Sequence, residues 1–207
     1  MGMRRLRTDQ RGYTLTELLV VMAVLGVIVT ALTSIFVSGS NAELDLNRRF
    51  QAQQEVRLAL DTVRGDIHCA AAGQAKTIGT YPGLKLAINN TSGLGNCATA
   101  ATVSWCVVQV STTPSRYALY RSTATTNICT SSDTSRLLVA DYLTTATNVF
   151  TTAATVAQNS LQTIGVDFRV SVNPTTTRDI YELSDTIVAR NSTRCTTSGG
   201  CTAPTVS

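Results

Sequence analysis

The chain has 207 residues, of which 43% are hydrophobic, 14% charged and 5% aromatic, and it carries a formal charge of +4. That length suits one domain, or one domain with an appendage. The apolar content is too high for a disordered chain, and the charge is too weak for a protein that binds nucleic acid through its overall field. Charged residues fall well below the roughly 25% usual in globular proteins, and threonine and serine fill the gap. The charge is also uneven: residues 1–12 hold Arg4, Arg5, Arg7 and Arg11 against Asp9, a local +3, so the rest of the chain is close to neutral.

Tyr13 to Val37 form an apolar run with a single charge, Glu17. As a helix this run is about 37 Å long, enough to cross a hydrocarbon core of about 30 Å. The flanking arginines predict that residues 1–11 stay in the cytoplasm and that the chain after Val37 is translocated. A secretory signal peptide would share the basic start and apolar middle, with Ser40-Asn41-Ala42 as its cleavage site, and a plain signal anchor would remain in the membrane. Neither accounts for Glu17. A carboxylate inside an apolar span costs roughly 2.5–3.5 kcal/mol and usually has a partner or a function. The local alternative is an acid one turn from the helix start that snorkels to the interface.

The string Arg11-Gly12-Tyr13-Thr14-Leu15-Thr16-Glu17-Leu18-Leu19-Val20-Val21-Met22-Ala23 resembles the class III signal of type IV prepilins and of type II secretion pseudopilins. Such a signal is a short basic leader ending in glycine, followed by an aromatic residue, a glutamate and an apolar helix. The resemblance implies that a prepilin peptidase cuts after Gly12, that Tyr13 becomes the N-methylated first residue, and that Glu17 is the assembly glutamate. Tyr13 stands where phenylalanine is usual, and Thr16 where a branched aliphatic is common. From the chemistry alone, cleavage would remove the basic leader and leave a cationic amine on Tyr13 in an apolar setting. There an unpaired charge is costly, and Glu17 of a neighbouring subunit would attract it strongly.

Ser38-Gly39-Ser40 weakens the helix, but an amphipathic stripe follows at Leu46, Phe50, Gln53, Val56, Leu60, Val63 and Ile67. Charged residues occupy the opposite face, and a helix from Tyr13 to His68 would be roughly 84 Å long. The domain plan is therefore a leader 1–12, a transmembrane and assembly helix 13–37, an amphipathic extension 38–68 and an extracellular β domain 69–207. Beyond Gly73, residues 105–110 and 117–121 read as a hairpin with a longer loop over 111–116. Further strands are expected at 137–142, 166–172 and 185–189, with surface loops at 87–101 and 122–135. The expected class is α+β, a long N-terminal helix packed on an antiparallel sheet.

The six cysteines, Cys69, Cys97, Cys106, Cys129, Cys195 and Cys201, form no CxxC pair. Behind a membrane segment, an even count reads as a disulfide framework in an oxidising compartment. The pairing stays open: Cys195 and Cys201 are able to bridge each other or to tie the tail to the sheet. Short strings at Arg57 to Leu60, Val63 to Ile67, Tyr117 to Arg121 and Ile187 to Asn191 resemble W-type minor pilins and J-type pseudopilins.

Catalytic signals are sparse. His68 is the only histidine and reads as structural; no catalytic residue, cofactor or metal site is expected. The sequence holds no nucleophile elbow and no phosphate-cradling glycine loop. Asn89-Asn90-Thr91, Asn90-Thr91-Ser92 and Asn191-Ser192-Thr193 match the N-glycosylation pattern and are expected to be plain polar loops. Arg116, Arg121, Arg136, Arg169, Arg178 and Arg190 would form a basic face if they converged, which leaves nucleic acid as a possible but unsupported partner. The reading is a type IV pilus subunit, a minor pilin, with a J-type pseudopilin as the alternative and a DNA-uptake or adhesion module as the alternative of another class. Its expected partners are other pilins, the prepilin peptidase, the inner-membrane assembly machinery and the membrane itself. It would start in the cytoplasmic membrane and end at the cell surface.

Overall fold

The computed structural model describes residues 13–88, 97, 101–172 and 180–206. Gly12 with the rest of the leader, the two glycosylation strings that begin at Asn89 and Asn90, and Arg178 lie outside the described residues. The chain divides into two units, Met1–Leu46 and Asn47–Ser207. One helix, α1, runs from Leu15 to Cys69 and contributes to both. It passes through Ser38-Gly39-Ser40 without a break. A single glycine costs only about 1 kcal/mol against alanine, and helix propagation from both sides outweighs that.

In the first unit every side chain from Tyr13 to Leu44 is exposed. Three of its hydroxyls are satisfied within the helix. Thr30 Oγ1 donates to the Gly26 carbonyl at 2.8 Å, Thr33 Oγ1 to Val29 at 2.8 Å and Ser34 Oγ to Ala31 at 3.2 Å. Turned back onto their own helix, these groups present no free donor to an apolar surrounding.

The second unit combines helix residues 47–69 with strands β1 (Ala70–Ile78), β2 (Tyr81–Ile88), β3 (Ala101–Thr112), β4 (Ser115–Ser122), β5 (Leu137–Leu143), β6 (Phe150–Thr152), β7 (Thr155–Val156), β8 (Thr163–Val170), β9 (Tyr181–Val188) and β10 (Cys201–Thr202). Eight strands form one antiparallel sheet in the order β1-β2-β3-β4-β5-β8-β6, with β9 on the other edge of β8; β7 and β10 pair separately. The fold is α+β, as the sequence implied. Helix residues Val56, Ala59, Leu60, Val63 and Ile67 meet Leu84, Leu86, Trp105, Leu119, Ile164 and Phe168 in one core. There Phe150 and Phe168 meet edge to face, with ring centroids 6.1 Å apart.

Although β1 and β6 stand at opposite ends of the strand order, the sheet curls until they lie side by side. Two side chains bridge the gap. Thr152 Oγ1 accepts from the Ala75 amide at 3.2 Å, and buried Gln162 donates Nε2 to the Gly73 carbonyl at 2.6 Å while accepting from the Gly73 amide at 3.0 Å. The glutamine amide thus supplies both hydrogen bonds that another strand would have supplied. A Cβ at Gly73 would fall 2.5 Å from Ile164 Cδ1 and 2.9 Å from Leu86 Cδ2, so any larger residue would have to displace both buried side-chain ends. Gly79, at φ 62°, turns β1 into β2, an αL position that glycine occupies without steric cost.

All six cysteines are paired: Cys69–Cys97, Cys106–Cys129 and Cys195–Cys201. The first ties the end of α1 to the segment between β2 and β3, and the second pins the 123–136 segment against the sheet face opposite α1. The third closes a short ring near the C-terminus.

Several expectations need correction. Leu46 and Phe50 are 65% and 67% exposed, because the helix meets the sheet only from Ala52 onward and its 3.6-residue turn carries Phe50 off the buried arc. Small Ala52 and Ala59 are buried instead. The β3–β4 loop is two residues, Thr113 and cis Pro114, since Thr112 already pairs with Ser115. The β1–β2 hairpin went unread because its alanines and glycines carry little strand signal. β8 and β9 start earlier than expected. The 122–135 segment is also more than a solvated loop: Asp133 is buried and accepts from Ser122 Oγ, the Cys129 amide, and the amide and hydroxyl of Ser135.

Candidate functional site

The start of α1 is locally encoded. Thr14 occupies the N-cap: its carbonyl accepts from the Glu17 and Leu18 amides at 3.1 and 3.2 Å, and its Oγ1 accepts from the Glu17 amide at 3.3 Å. Thr14-Leu15-Thr16-Glu17 therefore has the spacing of a capping box, with Glu17 at the third helical position. A carboxylate there also meets the positive end of the helix dipole. The sequence reading missed this, although the signal, threonine followed three residues later by glutamate, was in the string. Glu17 thus has a local reason to stand where it does, and its side chain remains exposed and open to a partner.

Beyond Glu17 the helix is long and apolar enough to cross a membrane, and none of its apolar window is buried. Ala23, Gly26, Thr30, Ala31 and Ser34 share one stretch of its surface. Such small residues let another helix come close in an apolar medium.

The β-rich unit offers little for chemistry. Among the described residues, no group of three His, Cys, Asp or Glu side chains is placed to hold a metal ion. Clefts on this unit of 160, 210 and 260 Å³ fall below the roughly 300–1,000 Å³ of small-molecule sites. His68 donates Nδ1–H to the Val188 carbonyl at 3.0 Å, joining helix to strand.

Among the described residues, the predicted arginines do not converge on a basic face. Arg121 pairs with Asp66 at 2.8 Å, and Arg169 pairs with Asp167 at 3.2 Å and Glu182 at 2.8 Å. Arg116 lies 3.5 Å from Asp141 and 4.9 Å from the Tyr142 ring centroid. Arg136 donates to the Cys129 carbonyl at 3.1 Å and stacks 4.2 Å over Tyr120. Of the five that are described, Arg169 and Arg190 are exposed. These intramolecular partners spend the charge that phosphates would otherwise meet.

Electrostatics instead serve to fasten α1 to the sheet. The Arg64–Asp185 hydrogen bond holds the guanidinium pKa above its ordinary value and the carboxyl below its own. At Arg121 the Asp66 hydrogen bond raises the pKa against the opposing effect of burial.

Residues 7–33 match the family model of the prokaryotic N-terminal methylation motif, the class III signal of type IV prepilin-like proteins. No curated protein and no solved structure matches the chain. The motif implies a prepilin peptidase substrate, fits membrane anchoring through the apolar helix, and supports a type IV pilin-like or pseudopilin subunit.

Proposed function

We propose that the protein is a minor subunit of a type IV pilus. It is inserted as a prepilin, cut after Gly12, methylated on the new N-terminal Tyr13 and packed into a filament through α1. The observation that carries this reading is the contrast along one helix. The apolar residues of 15–37 are all exposed, whereas Ala52, Val56, Ala59, Leu60, Val63 and Ile67 on one face of the same helix are buried against a sheet. An exposed apolar surface of that extent needs lipid or protein around it, and a pilin has lipid before assembly and neighbouring helices after it. In this reading Glu17, in the first turn of α1, meets the cationic amine of Tyr13 from a neighbouring subunit in a setting of low dielectric, where the attraction is far stronger than in water.

Mass spectrometry of the mature N-terminus tests this directly. The expected species begins at Tyr13 and carries one methyl group. A chain beginning near Glu43, or one that keeps its leader, would sink the reading. A J-type pseudopilin would share the processing, and incorporation into surface filaments rather than a secretion machine separates the two.

A further inference from the structure

We propose that the seam between helix residues 57–68 and β9 is a shear clamp, which keeps the β-rich unit attached when the subunit is pulled through its helix. The inference rests on the filament reading, in which α1 is the anchored element. Three polar contacts cross the seam. Arg57 Nε donates to the Tyr181 hydroxyl at 3.2 Å, with its guanidinium 5.6 Å from the ring centroid. Arg64 Nη2 donates to Asp185 Oδ2 at 2.8 Å, and His68 Nδ1 to the Val188 carbonyl at 3.0 Å. Residue numbers rise together on both elements, so helix and strand run parallel. From Arg57 to His68 the helix advances about 17 Å, and from Tyr181 to Val188 the strand advances about 23 Å. Long arginine side chains absorb the difference, and the contacts are spread along the seam.

That direction matters because α1 is the first element of the chain and β9 is its last long strand. Once the tail's contacts at Val206, Ala203 and Cys195 have parted, a pull on the two termini drags helix and strand in opposite senses along the seam, so its contacts stretch together instead of breaking one by one. The surroundings hold the seam in place. Asp61 steadies Arg64 at 2.8 Å, and β8 backs β9 from Val170↔Tyr181 to Thr163↔Val188. Because the Ala189 amide bonds to the Gln162 carbonyl, antiparallel alternation turns the Val188 carbonyl away from β8, and His68 takes it. Exposed ion pairs add little to equilibrium stability. Forced unfolding depends instead on the barrier, so the clamp acts on a rate that equilibrium unfolding barely reports.

The test holds the full chain, in detergent micelles and tagged at both termini, at constant force in magnetic tweezers. Arg57→Gln with Arg64→Gln is expected to shorten the folded lifetime under force about tenfold, while the urea midpoint moves little. The charge-conserving Arg57→Lys with Arg64→Lys should keep most of the lifetime, because a lysine at 64 still meets Asp61 and Asp185. Arg136→Gln, which breaks contacts to Cys129 and Tyr120 away from the seam, should leave it unchanged. An unaltered lifetime in the double glutamine variant, or equal shortening by Arg136→Gln, overturns the clamp. Neither result bears on the filament reading, which the mature N-terminus decides separately.

Discussion

Asp66 on the last turns of α1 accepts both Nε and Nη2 of Arg121 on β4, at 2.8 and 3.1 Å. Its Oδ2 also takes the indole N–H of fully buried Trp105 at 3.0 Å. Trp105 and Arg121 are register partners across β3 and β4, so one helical carboxylate fastens two strands. The side chains of Arg121 and Asp66 are 28% and 14% exposed, so removing the acid leaves a largely desolvated guanidinium without its counter-charge. Asp66→Asn is expected to cost about 2 kcal/mol, below the 3–5 kcal/mol of a fully buried pair. Trp105 is the only tryptophan, so its fluorescence during urea unfolding reads the effect; an unchanged midpoint would count against the fastening role.

Gly73→Ala should destabilise the curled sheet by about 1–3 kcal/mol through overpacking, because the new methyl meets Ile164 and Leu86, both fully buried. Ile164→Val removes the nearer of the two clashing atoms. The double variant is therefore expected to lose less than the sum of the single losses, and strict additivity in urea unfolding would show that the contact is not the cause.

Asp133 supplies a pH signature. Burial opposes its charged form, but the hydrogen bonds from Ser122, Cys129 and Ser135 prevail and lower its pKa from 3.8 to about 2. A carboxyl whose folded pKa is depressed contributes stability that is complete above its unfolded pKa and lost as pH falls through the folded one. The contribution is about 2 kcal/mol, present above pH 4 and lost towards pH 2. Asp133→Asn should be less stable than the wild type at pH 7, with the gap narrowing across that window. A constant gap would mean that the charge is not what the loop holds.

The disulfides are expected to differ in worth. Cys69–Cys97 and Cys106–Cys129 span 28 and 23 residues, whereas Cys195–Cys201 spans 6. Loop-closure entropy then gives about 3–4 kcal/mol for each of the longer two and about 2 kcal/mol for the short ring. Replacing each pair by serines and comparing melting temperatures checks the order. A larger loss at Cys195 and Cys201 than at the other pairs would contradict it.

Glu17 has two candidate roles that separate by chemistry. Glutamine keeps the hydrogen-bonding side chain of a capping box and drops only the charge; alanine drops both. If pairing with a neighbour's amine orders the subunits, Glu17→Gln and Glu17→Ala should both be cleaved after Gly12 yet fail to enter filaments. Normal incorporation of Glu17→Gln, scored by immunoblot of sheared surface filaments, would leave helix capping as its only role.

The anchor and the helix were legible because their signals are local. Composition over 13–37 and the recurrence of apolar residues from Val56 to Ile67 report a neighbourhood of one or two turns, and Thr14 with Glu17 marks the helix start within four residues. Strands with β-branched and aromatic residues, such as 105–110, were equally readable. The Ala70–Ile78 strand was not, because its alanines and glycine form a strand only where Gln162, Leu86 and Ile164 close around them.

By itself, then, the sequence determined an apolar helix with a single charge near its start, its amphipathic continuation and an α+β class, all of which follow from periodicity and local chemistry. Tertiary structure decided how six cysteines form three pairs, that Asp66 meets Arg121 and Trp105, and that a glutamine amide 89 residues from Gly73 closes the sheet. It also decided that Arg116, Arg121, Arg136 and Arg169 find partners within the domain. These contacts join residues far apart in the chain, and strand register, which sets their distance, is fixed only when the whole sheet folds.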